Sequence, residues 1–437
     1  MSNKTLKTIL IILVLLAVTL TAVKLTGIDK DVDFKDMDLS FGNAAEKERE
    51  EKIDKIMKSD FFDDFEENVQ PNITPINITS SSRYEAVHEY SISPEKVKNP
   101  VEINCLVPQK YRRLYVEILC SLNDCVGEID LITQATEDDV KRAIIYVRDL
   151  NPQLFYVDWS SYSFNSSGEK IRQLKMKFLF DDVKKAKKEF DSAVDGIISE
   201  ANKLPNLFER ELYVHDYLVN NTTYLVDDGD TGTAYGAIVN KKARCEGYAR
   251  AFQLLMLRLG IPTISVTGIS ENDTHMWNKV DLYGKYYNVD VTFDDDSSIS
   301  AVTNLTVNEI SHSCFNVTDS IINRTHTQNP LESKDQFGSY QTLITFDCNS
   351  DDFNYYRIKG LSVKNASQLK YLFEKYSSEK RVTVFFETEM PSIITVQQAF
   401  SEYFKDSYRS GGYTFYYNPE QSSVYLRNVY EINWELN

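Results

Sequence analysis

Apolar positions change their spacing several times along the chain, and each change marks an element. Thr8 to Val23 is an unbroken apolar run of mostly Leu, Ile, Val and Ala behind Lys4 and Lys7. Such a run predicts a membrane-crossing helix or a secretory leader. No small-x-small cleavage site precedes Lys24, so an uncleaved anchor is the preferred reading. The basic flank then leaves the N-terminus in the cytoplasm and the rest of the chain outside it. Asp29 to Asp38 is acidic with little periodicity, charge-mixed Ala44 to Lys58 reads as a solvated helix or a stalk, and Glu66 to Ser82, with Pro71 and Pro75, as a linker. Helical spacing over Asp138 to Arg148 and Asp181 to Asn202 predicts two helices. Between them, aromatic and β-branched Leu154 to Trp159 and alternating Gln173 to Phe180 predict two strands, joined through Asn165 to Glu169. Towards the C-terminus, strands are expected at Leu343–Phe346, Arg381–Glu387, Tyr413–Tyr417 and Ser423–Arg427, with helices at Val363–Tyr376 and Val396–Phe404. No internal repeat is present.

The most informative stretch runs from Leu207 to Asp296. Tyr248, Phe252, Leu255, Met256 and Leu259 recur at helical spacing, and Gly260-Ile-Pro262 stops the helix. Cys245 therefore sits at or near a helix N-terminus, where unpaired N–H groups and the helix dipole favour an anion such as a thiolate. The same amides suit a tetrahedral oxyanion. Thr263 to Thr267 alternates as a strand, and Gly268 to Asp273 reads as a polar loop. His275–Leu282 and Lys285–Thr292 then alternate on either side of Tyr283-Gly284, a two-residue hairpin signal. That turn pairs Leu282 with Lys285 and hence Trp277 with Asp290. His275 and Asp290 become diagonal neighbours on one face, roughly 7–8 Å apart at the backbone. A slip of one residue would separate them. A thiol at a helix start with an imidazole and a carboxylate side by side is the nucleophile, base and orienter set of cysteine catalysis.

Composition narrows the setting. The chain has 437 residues, 42% hydrophobic and 12% aromatic, enough for several folded domains. Its formal net charge of −17 disfavours nucleic acid as a partner. None of the six cysteines forms a CxxC pair, so a zinc-ribbon pattern is absent. Cys120 and Cys125 are near enough in sequence to form a disulfide outside the cell. Asn-x-Ser/Thr sequons recur, including those at Asn72, Asn165, Asn272, Asn316 and Asn365. The acidic loops Asp227–Asp230 and Asp294–Asp296 lack EF-hand spacing, so no metal and no cofactor are expected.

Arg-Cys-Glu-Gly-Tyr-Ala-Arg-Ala-Phe around Cys245, then Gly-Ile-Pro, His-Met-Trp-Asn-Lys-Val and Tyr-Tyr-Asn-Val-Asp-Val-Thr-Phe-Asp resemble the transglutaminase-like superfamily in order and spacing. His215 to Tyr224 and Ala234 to Asn240 are similar to its microbial members. The resemblance implies an α+β fold with a papain-like core, a Cys-bearing helix packed on an antiparallel sheet. It implies Cys245, His275 and Asp290 as the catalytic triad, with Trp277 and Asn278 supporting the site. Tyr235 is the one candidate oxyanion side chain, though packing suits it better, and His215 reads as a packing or capping residue. The expected organisation is an anchor or leader at 1–24, an acidic stalk at 25–83, a flanking α+β domain at 84–204, the catalytic core at 205–300, a polar connecting segment at 301–338 and a small α/β domain at 339–437. The expected activity is acyl transfer on peptide or isopeptide amides through a thioester at the cell surface. Hydrolysis of a protein or cell-wall peptide is put first; a cross-linking transamidase or a non-catalytic surface binding module is the alternative.

Overall fold

The computed structural model describes residues 40–436 except 66–67, 77–82, 97–99, 228, 271, 296–309, 337, 380, 388–392, 408–410 and 416–428. The apolar run Thr8 to Val23 lies outside the described residues. Among those described, no helix is long and apolar enough to cross a membrane. Two compact units are distinguished, residues 1–52 and 53–437. The described part of the first is the start of helix α1, Ser40–Met57.

The second unit opens with a two-stranded ribbon, β1 Ile73–Ile76 paired with β2 Glu89–Ile92. The stretch read as a linker thus contains a strand. Pro75 is tolerated because such a ribbon has open edges, where a missing N–H costs nothing. Helices α2 Arg112–Asn123 and α3 Glu137–Leu150 follow, with β3 Glu128–Ala135 between them. Thr136 starts α3 with a reciprocal capping box: its side chain accepts the Asp139 N–H and Asp139 accepts the Thr136 N–H. β4 Val157–Ser167 and β5 Lys170–Phe178 form the expected hairpin and complete an antiparallel sheet in the order β3-β5-β4. Helix α4 runs from Val183 to Ala201 and α5 from Leu207 to Asn221.

A short parallel pair, β6 Thr223–Tyr224 and β7 Lys242–Ala243, leads directly into helix α6, Cys245–Arg258. α6 ends where the sequence predicts, with Gly260 at φ 80° ahead of Pro262. It packs on β8 Thr263–Ser270 and β9 Asp273–Leu282, which with β10 Lys285–Val289 and β11 His326–Gln328 make an antiparallel sheet ordered β10-β9-β8-β11. β8 extends three residues beyond its expected end at Thr267 because its edge is paired with β11. Gly268 admits that strand: a Cβ there would lie 2.3 Å from the Thr327 carbonyl oxygen. The β9–β10 turn carries Tyr283 and Gly284 at φ 60° and 72°, the left-handed pair a two-residue hairpin needs. Leu282 faces Lys285, so the register is the one the alternation implies.

Short helix α7, Val291–Asp294, follows β10. Residues 314–317 lie against β10, where Asn288 and Val317 exchange backbone hydrogen bonds of 2.8 and 3.0 Å. A separate apolar cluster holds Val363, Leu369, Phe373, Val384, Phe386 and Phe400. It joins helices 366–375 and 393–407 to a sheet ordered β12 Ser362–Val363, β13 Arg381–Phe386, β15 Val429–Leu436, β14 Gly411–Phe415. Leu343–Phe346 is not a strand. Phe346 instead stacks on Tyr286 at 4.5 Å, and its carbonyl accepts from Lys279 Nζ at 2.7 Å. Ser423–Arg427 lies outside the described residues. Cys125 is a thiol, so the Cys120–Cys125 disulfide is not formed. Asn316 is fully buried and donates to Glu211 at 2.8 Å, which closes that sequon to glycosylation in the folded chain.

Candidate active site

Cys245 is the first residue of α6, with Arg244 as N-cap in extended conformation and without a side-chain cap. The helix can begin there because Gly247 passes close to a neighbouring turn: a Cβ on it would meet the Thr231 carbonyl oxygen at 2.3 Å. His275 lies on β9 and Asp290 directly follows β10, as N-cap of α7, where its Oδ1 accepts the Phe293 N–H at 3.1 Å. Across the hairpin, His275 Nε2 and Asp290 Oδ2 are 2.6 Å apart. Cys245 is close enough to the same ring to act on its charge. Since Nε2 is taken by Asp290, Nδ1 is the nitrogen left for the sulfur. The three residues singled out in the sequence are therefore brought together.

Exposure grades across the set. The His275 side chain is 11% exposed and that of Asp290 1%, so solvent reaches the ring and not the acid. Burial works against a charge on His275, but the charge and hydrogen bond of Asp290, with a smaller contribution from Cys245, raise its pKa to about 10. Burial pushes Asp290 up, yet the two histidines facing it hold its carboxyl well below the usual carboxylate range. At neutral pH the site therefore carries an imidazolium on a carboxylate, a positive charge beside the sulfur of the kind that activates cysteine nucleophiles. The linkage has a definite sign. Stability from the raised His275 pKa is complete below about pH 6.5, its ordinary value, and disappears as pH rises through about 10. Thermal midpoints followed from pH 6.5 to 10 should fall more steeply in the native chain than in His275→Gln. Parallel curves would contradict the pairing.

The supporting residues are placed as follows. Trp277 is 1% exposed, lies beneath His275 with a 19° interplanar angle, and donates from Nε1 to Asn288 Oδ1 at 3.1 Å. Asn278 ties the helix to the sheet: its Nδ2 contacts the Ala249 carbonyl at 3.0 Å, Ser265 Oγ at 3.1 Å and the Ile264 carbonyl at 3.3 Å. Tyr235 packs among Phe155, Phe180 and Phe190 and its hydroxyl donates to Glu189 at 3.0 Å. This is a packing environment.

Two further residues join the site that the sequence did not single out. His326, fully buried on β11, donates from Nε2 to the same Asp290 Oδ2 at 2.8 Å, and its Nδ1 faces the Thr325 hydroxyl at 2.7 Å. Asp290 thus accepts from two imidazoles and one backbone amide. Tyr224, beside Ala243 in the β6–β7 pair, is exposed and close enough to Cys245 to feel its charge. Burial, then the charges of Cys245, Asp273 and Asp290, raise its pKa, so its hydroxyl stays a donor at neutral pH. His326→Ala is expected to lower turnover about tenfold with little change in KM, and His326→Gln, which restores an N–H at the Nε2 position, to recover most of it. Equal loss in both variants would mean that only ring packing matters.

Residues 195–291 match the family model of the Transglutaminase-like superfamily. No curated protein matches the chain. Two solved structures align with it: a TGase at 18% identity and TM-score 0.24, covering 38% of this chain and 50% of that one, and a candidate cysteine protease from Cytophaga hutchinsonii at 16% identity and TM-score 0.22, covering 30% of this chain and 61% of that one. The chain thus spans half the length of the first and about three fifths of the second.

Proposed function

We propose that this chain, transglutaminase-like over residues 195–291, is a cysteine enzyme that transfers the acyl group of peptide or isopeptide amides through a thioester. One observation carries this reading: a single ring, His275, bonds Asp290 through Nε2 and lies within electrostatic reach of Cys245 at the start of α6. Members of the superfamily are usually cysteine enzymes. The Cys245 helix on an antiparallel sheet is the arrangement expected of a papain-like core.

In this reading Cys245 reacts as its thiolate, with the proton already resting on the His275 ring, and the sulfur attacks the amide carbonyl carbon. The oxyanion meets the N–H groups that begin α6, which have no partner within the helix. His275 then returns the proton to the leaving amine, and a thioester remains on Cys245. Asp290 holds the ring and balances its charge throughout, without itself taking the proton. Tyr224, exposed and within electrostatic reach of Cys245, offers a hydroxyl that could hydrogen-bond the substrate. Water attacking the thioester completes hydrolysis, and a primary amine would instead form a new amide. Hydrolysis is put first because the motifs resemble microbial members in which peptide hydrolysis is the commoner expectation. The apolar run at Thr8–Val23 would place this activity outside the cytoplasm, on a protein or cell-wall peptide.

The experiment supplies a peptide mixture containing Gln side chains together with a labelled primary amine, and compares the native chain with Cys245→Ser. The expected result is peptide cleavage or deamidation that depends on Cys245, with little label incorporated. Label incorporated into peptide makes the enzyme a transamidase. Neither product would leave the fold as a binding scaffold and overturn the proposal.

A further inference from the structure

Four of the five histidines gather in two carboxylate-centred trios among the described residues. One is His275, Asp290 and His326. The other, His215, Asp216 and His312, plays no part in the chemistry above. We propose that His215 Nδ1, Asp216 Oδ1 and His312 Nε2 are the ligands of a site for a borderline divalent transition metal, of which Zn2+ is the leading candidate. The proposal does not rest on the catalytic reading of Cys245.

Geometry comes first. Asp216 Oδ1 is 2.9 Å from His215 Nδ1 and 2.8 Å from His312 Nε2. A tetrahedral zinc with bonds of about 2.0–2.1 Å spreads its ligand atoms about 3.3 Å apart. Both distances to Asp216 Oδ1 therefore need to open by only a few tenths of an ångström, and all three atoms lie within 4.8 Å of one another. Two imidazoles and one carboxylate suit zinc, cobalt or iron(II) and disfavour calcium and magnesium, which prefer all-oxygen shells.

The surroundings are built as metal sites are. His215 is fully buried, and its other nitrogen, Nε2, faces Asp294 Oδ2 at 3.3 Å. A carboxylate behind a ligating imidazole fixes the ring and its tautomer. Asp294 is itself anchored: its Oδ1 accepts from Ser311 Oγ at 2.9 Å, Ser313 Oγ at 2.8 Å and the Cys314 N–H at 3.1 Å. His312 is clamped by Tyr355, whose ring stacks on it at 3.7 Å and 9°. The Asp216 side chain is 33% exposed while both imidazoles are enclosed, so an ion has an entrance and a fourth position open to water. In the metal-free chain hydrogen bonds occupy these atoms. Burial opposes a proton on His215, and Asp216 and Asp294 keep it there.

Occupancy would have a structural consequence. His215 and Asp216 lie on α5, and His312 lies in the segment whose Cys314 carbonyl accepts the Asp290 N–H at 3.0 Å. A metal would thus staple α5 to the strip of chain that steadies Asp290.

The full chain is titrated with Zn2+ by calorimetry and with Co2+ by visible absorption. The expected result is one saturable equivalent, with the intense d–d bands of four- or five-coordinate Co2+, and a raised thermal midpoint. His312→Gln and, separately, Asp216→Asn each weaken binding at least about 100-fold, and Asp294→Asn, which touches only the outer shell, weakens it about 10- to 100-fold. Asp216 is the partly exposed ligand, so Asp216→Asn keeps the test open should His312→Gln fail to fold. His326→Gln, in the other trio, leaves binding unchanged. The proposal is overturned if the folded chain binds no Zn2+ or Co2+ saturably, or if binding survives His312→Gln and Asp216→Asn and is lost in His326→Gln.

Discussion

His275→Ala is expected to slow alkylation of Cys245 by iodoacetamide near neutral pH by about 100-fold, and to lower amide turnover by about 1,000-fold or more. The ring is asked to do two things, and alanine removes both. It no longer supplies the positive charge beside the sulfur, and no group remains to return a proton to the leaving amine. Alkylation needs only the first of these, so its loss is the smaller. The ring is only 11% exposed and its loss leaves the buried Asp290 carboxylate with one imidazole fewer, so circular dichroism confirms that the variant is folded before the rates are compared. Mass spectrometry of the Cys245 peptide reads the alkylation rate directly. If native Cys245 reacts no faster than Cys125, another partly exposed thiol, the activated nucleophile is lost from the account.

Asp290 has the second largest expected effect, and two substitutions separate its roles. Asp290→Ala removes a 1% exposed carboxylate that accepts from His275, His326 and the Phe293 amide. Three donors lose their acceptor and buried positive charge loses its partner, for which about 3–5 kcal/mol of stability is the usual cost. Asp290→Asn keeps the shape and can still accept the Phe293 N–H. It should retain most of the helix cap while lowering turnover about 10,000-fold, because an amide neither fixes the His275 tautomer nor balances an imidazolium. The two are compared by thermal unfolding and peptide turnover on the same preparations. Near-native turnover in Asp290→Asn would remove the acid from the mechanism.

The site was legible in the sequence wherever local rules set geometry. Tyr283-Gly284 fixed the hairpin, the hairpin fixed the β9–β10 register, and the register put His275 beside Asp290. Cys245 was placed by the helical spacing of Tyr248 to Leu259 and by the Gly-Ile-Pro stop. His326 was not legible, for a physical reason. Its strand is three residues long and carries no alternation, and it reaches Asp290 only through edge pairing that Gly268 permits. His215 looked like a packing residue because its partners Asp294 and His312 come from distant segments, and no periodicity encodes that meeting. Scarcity was the one available hint: a chain with five histidines places four of them against carboxylates. Leu343–Phe346 shows the opposite error, since its apolar content serves packing against β10 and not a strand.

The most direct measurement is to trap the acyl intermediate. Intact-mass and peptide analysis after brief acid quench, with a good peptide amide or ester substrate, should find one acyl group on Cys245. It should be released by hydroxylamine, absent in Cys245→Ser, and longer-lived in Asp290→Asn. An acyl group on another residue, or turnover that persists in Cys245→Ser, would contradict the account.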